Sequence, residues 1–398
     1  MYNLRIAARS RMLRTGLGIF ALVCSATAFL LSVWIVVPAP TYRLWQVAVG
    51  ASEWSLWLGV LGLAGAGLSV AAFARGSRGP ALVAFGLGLS ATVFAAVPLT
   101  QTRPVARAHN VRLSLRQYLG GLRAQPAAAS SQTATFATVE GQSLLLDVFL
   151  PTAQAAARPA VIVVHGGSWS GGDKTDFPQW DRWLADQGFV VFDIQYRLAP
   201  QPNWRSATAD VKCAIGWVKR NAAQFGVDAG RIALLGRSAG GHLALLAAYT
   251  PREPALPPSC EAPDTGVQAV VSLYGPADLV WGYYNPANPD VIDGPGTLRR
   301  FLGGDPRTAA EAFAIASPIN HVNADTPPTL LLHGGRDQLV GQRHAELLSE
   351  RLQTADVPHQ TIFFPYAQHG FDYNFYGWGS QVTKPVLLRF LRQHVAQR

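Results

Sequence analysis

Leu235-Gly236-Arg237-Ser238-Ala239-Gly240-Gly241 decides how the chain folds. Arg231-Ile232-Ala233-Leu234-Leu235, running into it, reads as a short buried strand. His242-Leu243-Ala244-Leu245-Leu246-Ala247-Ala248, leaving it, reads as a helix. Gly-x-Ser-x-Gly between a strand and a helix is the setting of a nucleophile elbow. The turn is too sharp for bulky neighbours, so Gly236 and Gly240 leave room where a Cβ would clash. It lifts the Ser238 hydroxyl clear of the sheet and puts the Ala239 N–H at a helix start, facing a developing oxyanion. An ordinary serine in a glycine-rich turn is the competing reading of the pentapeptide alone.

A second half-site stands upstream. Ala160-Val161-Ile162-Val163-Val164 reads as another buried strand and runs into His165-Gly166-Gly167-Ser168-Trp169. A His-Gly-Gly loop after an early strand supplies the other half of an oxyanion hole, through the N–H groups of Gly166 and Gly167.

A serine nucleophile needs a base, and the base an acid, in the chain order Ser, Asp or Glu, His. Four histidines follow the late strand Thr329-Leu330-Leu331-Leu332. His344 and His394 fall in helical runs, and His359 opens a strand. His369 alone falls in a loop after a strand, and is the expected base. The expected acid is Asp337, at the end of the late strand, with helix N-capping as its alternative role. Asp278, one strand earlier, is the rival acid. His333 reads as a strand-end packing residue.

These residues carry a family resemblance. From about residue 133 onward the chain resembles an α/β-hydrolase of the hormone-sensitive-lipase-like and carbohydrate-esterase-like (BD-FAE-like) branch. The matching features are His165-Gly166-Gly167-Ser168-Trp169, Gln195-Tyr196-Arg197-Leu198-Ala199-Pro200, Gly236-x-Ser238-Ala239-Gly240-Gly241, Asp337 and His369. The resemblance implies a mostly parallel, doubly wound sheet, esterase chemistry and no cofactor. One departure is Arg237, where the family often has a small or acidic residue. It is expected to change the charge beside the elbow.

The N-terminal third is a different kind of sequence. Residues 1–129 contain twelve arginines and one acid, Glu53, against 21 basic and 23 acidic residues in 130–398. The arginines flank apolar segments, which points to membrane topology rather than to nucleic acid. Stretches 16–37, 54–74 and 80–99 are each about 20 residues, the span of a bilayer core. Gly59, Gly62, Gly65, Gly67, Gly86 and Gly88 suit close helix packing. Trp34, Trp45, Trp54 and Trp57 fall near the expected interfaces. Ala26-Thr27-Ala28 resembles a signal-peptide cleavage site, but the apolar run continues past it, so an uncleaved helix is expected.

The expected organisation is a three-helix membrane anchor (1–102), a linker (103–132) and the catalytic domain (133–398). In the linker Val111, Leu115, Tyr118, Leu119 and Leu122 recur at helical spacing, with Arg112, Arg116 and Arg123 on other faces. This suggests a basic amphipathic helix on the headgroups, with a solvated linker helix as the alternative. Residues 125–133 read as a flexible connector. The catalytic part alternates strands and helices as βαβ units, and about 265 residues can bury a large core. Residues 274–318 break that alternation and are expected to wall a substrate pocket with Trp169 and Tyr274. Cys213 and Cys260 pair if the domain lies outside the cytoplasm, and otherwise remain thiols.

The sequence thus points to a multi-pass protein of the cell membrane that hydrolyses small-molecule esters. The bilayer is its other partner, and nucleic acid is not expected. Amide cleavage, as in arylformamidases or peptidases, and a non-catalytic binding module on the same fold are the alternatives. Flanking arginines divide six against six between the two sides. The first helix, led by Arg5, Arg9, Arg11 and Arg14, favours an extracytoplasmic catalytic domain.

Overall fold

The computed structural model describes residues 2–121, 130–152, 157–198 and 200–396, with side chains from Thr15 onward. Leu122, Arg123, most of the 125–133 connector, Ala199 and the side chains of Arg5, Arg9, Arg11 and Arg14 lie outside the described residues.

Among the described residues five helices precede the sheet: α1 (Tyr2–Val36), α2 (Tyr42–Glu53), α3 (Ser55–Ala74), α4 (Arg78–Ala108) and α5 (Leu115–Gly120). Thr15–Val36, Ser55–Ala74 and Arg78–Ala108 are long and apolar enough to cross a membrane. They pack through small residues: a Cβ on Gly62 would stand 2.7 Å from the Gly88 carbonyl, and one on Gly88 would stand 2.5 Å from that of Gly62. Small residues at such contacts let helix backbones approach closely.

Two features depart from the sequence reading. First, α2 is a helix in its own right. Pro38 and Pro40 follow the end of α1, and the Thr41 side chain accepts a hydrogen bond from the Leu44 N–H at 3.3 Å, capping the new helix. Second, the expected amphipathic linker helix is reduced to α5. Residues 103–108 extend α4, and residues 111–114 are not helical. Tyr118 turns inward instead of lying on headgroups. It is fully buried and stacks on Trp378 with ring centroids 4.4 Å apart.

Among the described residues the sheet has eight strands, in the order β1-β2-β4-β3-β5-β6-β7-β8. β1 (Gln132–Val139) and β2 (Gln142–Phe149) form the antiparallel entry. β3 (Arg158–Val164), β4 (Val190–Ile194), β5 (Val227–Arg237), β6 (Ala269–Leu273), β7 (Thr329–Gly334) and β8 (His359–Phe364) run parallel. The parallel strands are continuous apolar runs because both faces are covered. Along β3, Ala160, Ile162 and Val164 enter one core layer and Val161 and Val163 the other.

Helices α6 (Pro178–Asp186), α7 (Trp204–Arg220), α8 (Ala222–Phe225) and α9 (Ala239–Tyr249) alternate with the strands. α10 (Leu279–Tyr284), α11 (Gly294–Leu302) and α12 (Ala310–Ala316) form the excursion after β6, and α13 (Arg343–Thr354) and α14 (Trp378–Leu391) complete the layers. α7 and α9 pack with the first core layer, α6 and α14 with the second. This is the α/β-hydrolase arrangement. Cys213, buried in α7, is bonded to Cys260 across a separation of 47 residues, with Cα atoms 5.3 Å apart.

Candidate active site

In a parallel sheet every strand ends at the same edge, so residues just past β3, β5, β7 and β8 meet there. Ser238 follows β5 with φ 54° and ψ −121°. This is strained for a side chain with a Cβ. The strain is held by packing, since a Cβ on Gly236 would run into the Gly240 carbonyl and one on Gly240 into those of Val164 and His165. Ser168, Trp169 and Tyr274, which also border the site, have positive φ as well.

The structure brings together three residues chosen from the sequence. The Ser238 hydroxyl lies 2.8 Å from His369 Nε2, and His369 Nδ1 lies 2.7 Å from Asp337 Oδ2. Asp337 does not cap the following helix, which starts at Arg343; its Oδ1 instead accepts from the N–H groups of Leu339 and Val340 at 2.9 Å each, closing a turn. One oxygen thus fixes the turn and the other faces the imidazole. Burial alone would raise the Asp337 carboxyl. The His369 ring and hydrogen bonds from His333 and His369 outweigh it and hold the group well below the usual carboxylate range. The rival Asp278 is otherwise engaged: it caps α10, accepting from the Trp281 N–H at 2.9 Å.

Sequence reasoning missed two parts. His333 does more than pack: its Nε2 lies 2.8 Å from the Val340 carbonyl and 3.4 Å from Asp337 Oδ2, bracing the acid. Arg237, expected to change the charge beside the elbow, has its charge balanced there. Its guanidinium is buried, pairs with Asp372 at 2.6 Å and lies 4.2 Å above the Phe177 ring. The Tyr274 hydroxyl donates to the other Asp372 oxygen at 2.6 Å, and the Tyr274 ring lies 4.4 Å from that of His369. Asp372, close behind the base in sequence, was the available signal.

Gly166 passes close to the elbow; a Cβ there would stand 3.3 Å from that of Ser238. Gly167 has φ 111°, and its carbonyl accepts from the Gly171 N–H at 2.9 Å, closing the loop. Ala239 is the first residue of α9, so the N–H groups of both half-sites belong to backbone that converges on Ser238.

Two cavities meet at Ser238. The smaller, about 80 Å³, is walled by Trp169, Ala239, Leu279, Leu298 and His344 among others. The larger, about 530 Å³, has Gly166, Gly167, Tyr274 and His369 on its wall, together with residues of α2. The expected pocket residues therefore divide, Trp169 to the small cavity and Tyr274 to the large one.

His344 sits at the back of the small cavity, where burial pushes its imidazole down to about 3. Its Nδ1 accepts from the N–H groups of Ala277 and Asp278 at 3.3 Å. An unfolded chain protonates this ring below about pH 6.5, while the folded one does not until about pH 3. The stability this residue contributes is therefore full above pH 6.5 and lost as pH falls. His344→Gln, which keeps an acceptor, is expected to gain on the wild type by about 1.4 kcal/mol per pH unit between pH 6 and 4. Thermal unfolding of both proteins across that range measures the gain, and a pH-independent difference would refute it.

The BD-FAE family model matches residues 146–352, from β2 through α13. "Probable carboxylic ester hydrolase LipM" of Mycobacterium tuberculosis is 37% identical over 218 residues, 54% of this chain and 49% of that one. Esterase LipC of the same organism is 37% identical over 239 residues, 57% of each chain. The chain spans about half the length of these curated relatives. A thermophilic esterase of Thermogutta terrifontis, Est2, superposes with TM-score 0.55 at 27% identity, covering 69% of this chain and 96% of that one.

Proposed function

The chain belongs to the BD-FAE family, and we propose that it is a membrane-anchored carboxylic ester hydrolase whose triad is Ser238, His369 and Asp337. The observation that carries this reading is the unbroken relay from the Ser238 hydroxyl through His369 to Asp337, at 2.8 and 2.7 Å. The family match ends before His369, so the role of that residue rests on the relay itself.

His369 Nε2 takes the Ser238 proton as Oγ bonds to the ester carbonyl carbon. The carbonyl oxygen becomes an oxyanion beside the N–H groups of Gly166, Gly167 and Ala239. The ester C–O bond then breaks, and His369 returns the proton to the departing alkoxide. Water, deprotonated by the same imidazole, releases the acid and restores Ser238. Asp337 holds the imidazole with Nδ1 protonated throughout.

The proton delivery assigns the two cavities. The alkoxide must leave on the side of His369, which borders the 530 Å³ cavity. The acyl group then occupies the smaller, 80 Å³ cavity. Acetyl to butyryl esters fit it. A p-nitrophenyl ester series from acetate to decanoate, run beside the matching anilides, tests the function and this assignment. Turnover is expected to peak at four carbons or fewer and to fall at least about tenfold by octanoate, since each displaced methylene forfeits on the order of 0.8 kcal/mol. A peak at octanoate or beyond would reverse the assignment, and hydrolysis of anilides alone would replace esterase by amidase.

The anchoring reading rests on the three apolar helices, and the side on two observations. The end of α1, the start of α3 and the end of α4 lie toward the hydrolase, which places the α3–α4 turn with Arg75 and Arg78 at the far end. The Cys213–Cys260 bond suits an oxidising compartment. The catalytic domain is therefore extracytoplasmic. Protease added to sealed right-side-out vesicles is expected to digest residues 133–398, and protection until lysis would reverse the topology.

A further inference from the structure

The larger cavity is not made by the hydrolase domain alone. Tyr42, Trp45, Gln46, Val49, Gly50 and Glu53 of α2 line it, opposite Ser238 and His369. These positions follow the i, i+3, i+4, i+7, i+8, i+11 pattern of one helix face. The opposite face of α2 is buried at Ala48, Ala51 and Ser52.

Both ends of α2 are fastened to the hydrolase. Before it, the Asn288 amide donates to the Ala39 carbonyl at 3.0 Å and Arg336 to that of Val36 at 2.5 Å. At its end the Glu53 carbonyl accepts from the Tyr118 hydroxyl at 2.9 Å and from the Asn374 amide at 3.0 Å. A helix held this way is a fixed wall rather than a loose tether.

The position of that wall identifies the ligand. α2 lies between the end of α1 and the start of α3, and α3 is about 30 Å long, one bilayer core. The cavity therefore opens where hydrocarbon gives way to headgroups. Tyr42 and Tyr373 at its rim are 48% and 72% exposed, the amphipathic rings favoured at that depth. On the same α2 face, the Trp45 indole N–H has no hydrogen-bond partner among the described residues, and Gln46 supplies an amide, groups suited to hydroxyls.

Building on the esterase reading, we propose that α2 is the leaving-group subsite, and that the alcohol it receives is the hydroxyl-bearing headgroup of a bilayer lipid. The substrate class is a lipid carrying a short acyl ester on its headgroup. Hydrolysis breaks the acyl C–O bond with one water, releases the short acid and leaves the lipid alcohol in the membrane.

The test uses the full chain reconstituted in phosphatidylcholine vesicles. The paired probes are a dioleoylglycerol glucoside acetylated at the glucose 6-hydroxyl and soluble 6-O-acetylglucose, which share the scissile bond. The lipid form is expected to have at least tenfold higher kcat/KM. Gly50→Phe should collapse that ratio toward one, because a Cβ at Gly50 meets nothing within 4 Å and the ring extends into the cavity. Gln46→Trp, at an exposed position of the same face, should act in the same direction if the first variant unfolds. A ratio near one in the wild type would overturn the bilayer alcohol. A high ratio unmoved by either folded variant would overturn the role of α2. Turnover of phenyl acetate with neither glucose ester cleaved would overturn the proposal while the esterase reading stands. Failure on all three would sink the esterase reading itself.

Discussion

Ser238→Ala is expected to cut ester turnover by a factor on the order of 10⁴ to 10⁶, with the thermal transition near that of the wild type. The hydroxyl is the only atom lost, and its hydrogen bond to His369 is the first link of the relay. Alanine relieves none of the backbone strain at φ 54°, because it keeps the Cβ. The fold should register the change weakly, while the reaction loses its proposed nucleophile. Initial rates with p-nitrophenyl acetate, alongside labelling by a fluorophosphonate, measure both sides. Turnover above about a tenth of wild type would remove Ser238 from the mechanism.

Asp337→Asn is the second large effect, a loss on the order of 10⁴-fold in kcat with little change in KM. The asparagine has the same shape, and its Oδ1 can still accept from Leu339 and Val340. The group facing His369 Nδ1 then becomes an amide. If that amide presents N–H, it forces the proton onto Nε2, where Ser238 needs an acceptor; if it presents oxygen, the imidazolium loses its counter-charge. Asp278→Asn is the control. Asparagine caps helices as well as aspartate does, and the Asp278 side chain is engaged with Trp281, so turnover should stay within a few-fold of wild type. The opposite ranking of the two variants would name Asp278 as the acid.

The difference between these aspartates shows what the sequence carried. Ser238, the His-Gly-Gly loop, Asp337 and His369 were legible because each sits just past a strand that announces itself by local apolar runs, and parallel strands share an edge. The βαβ alternation was legible for the same reason. α2 was not, although Tyr42, Trp45, Val49 and Glu53 keep helical spacing. Its wall-forming face is defined by a domain more than a hundred residues away, so Trp45 and Trp54 read only as interfacial anchors. Arg237 read as an unusual charge because its partner Asp372 lies 135 residues away in sequence. Within the 103–132 linker, the helix read from Val111 to Leu122 was overestimated because Tyr118 satisfies a helical pattern while its ring is used to stack on Trp378.

The stacking of Tyr118 on Trp378 bears on how far this protein can be taken apart. A fragment starting at residue 133 would keep every residue of the relay. It would leave the Trp378 ring without its cover and the Asn374 amide without the Glu53 carbonyl. Its large cavity would lack a side. Modularity by sequence, with an anchor, a connector and an enzyme, is therefore not modularity by function. A soluble piece would report the intrinsic reactivity of Ser238 toward activated esters, but its selectivity for alcohols would describe the fragment rather than the whole protein.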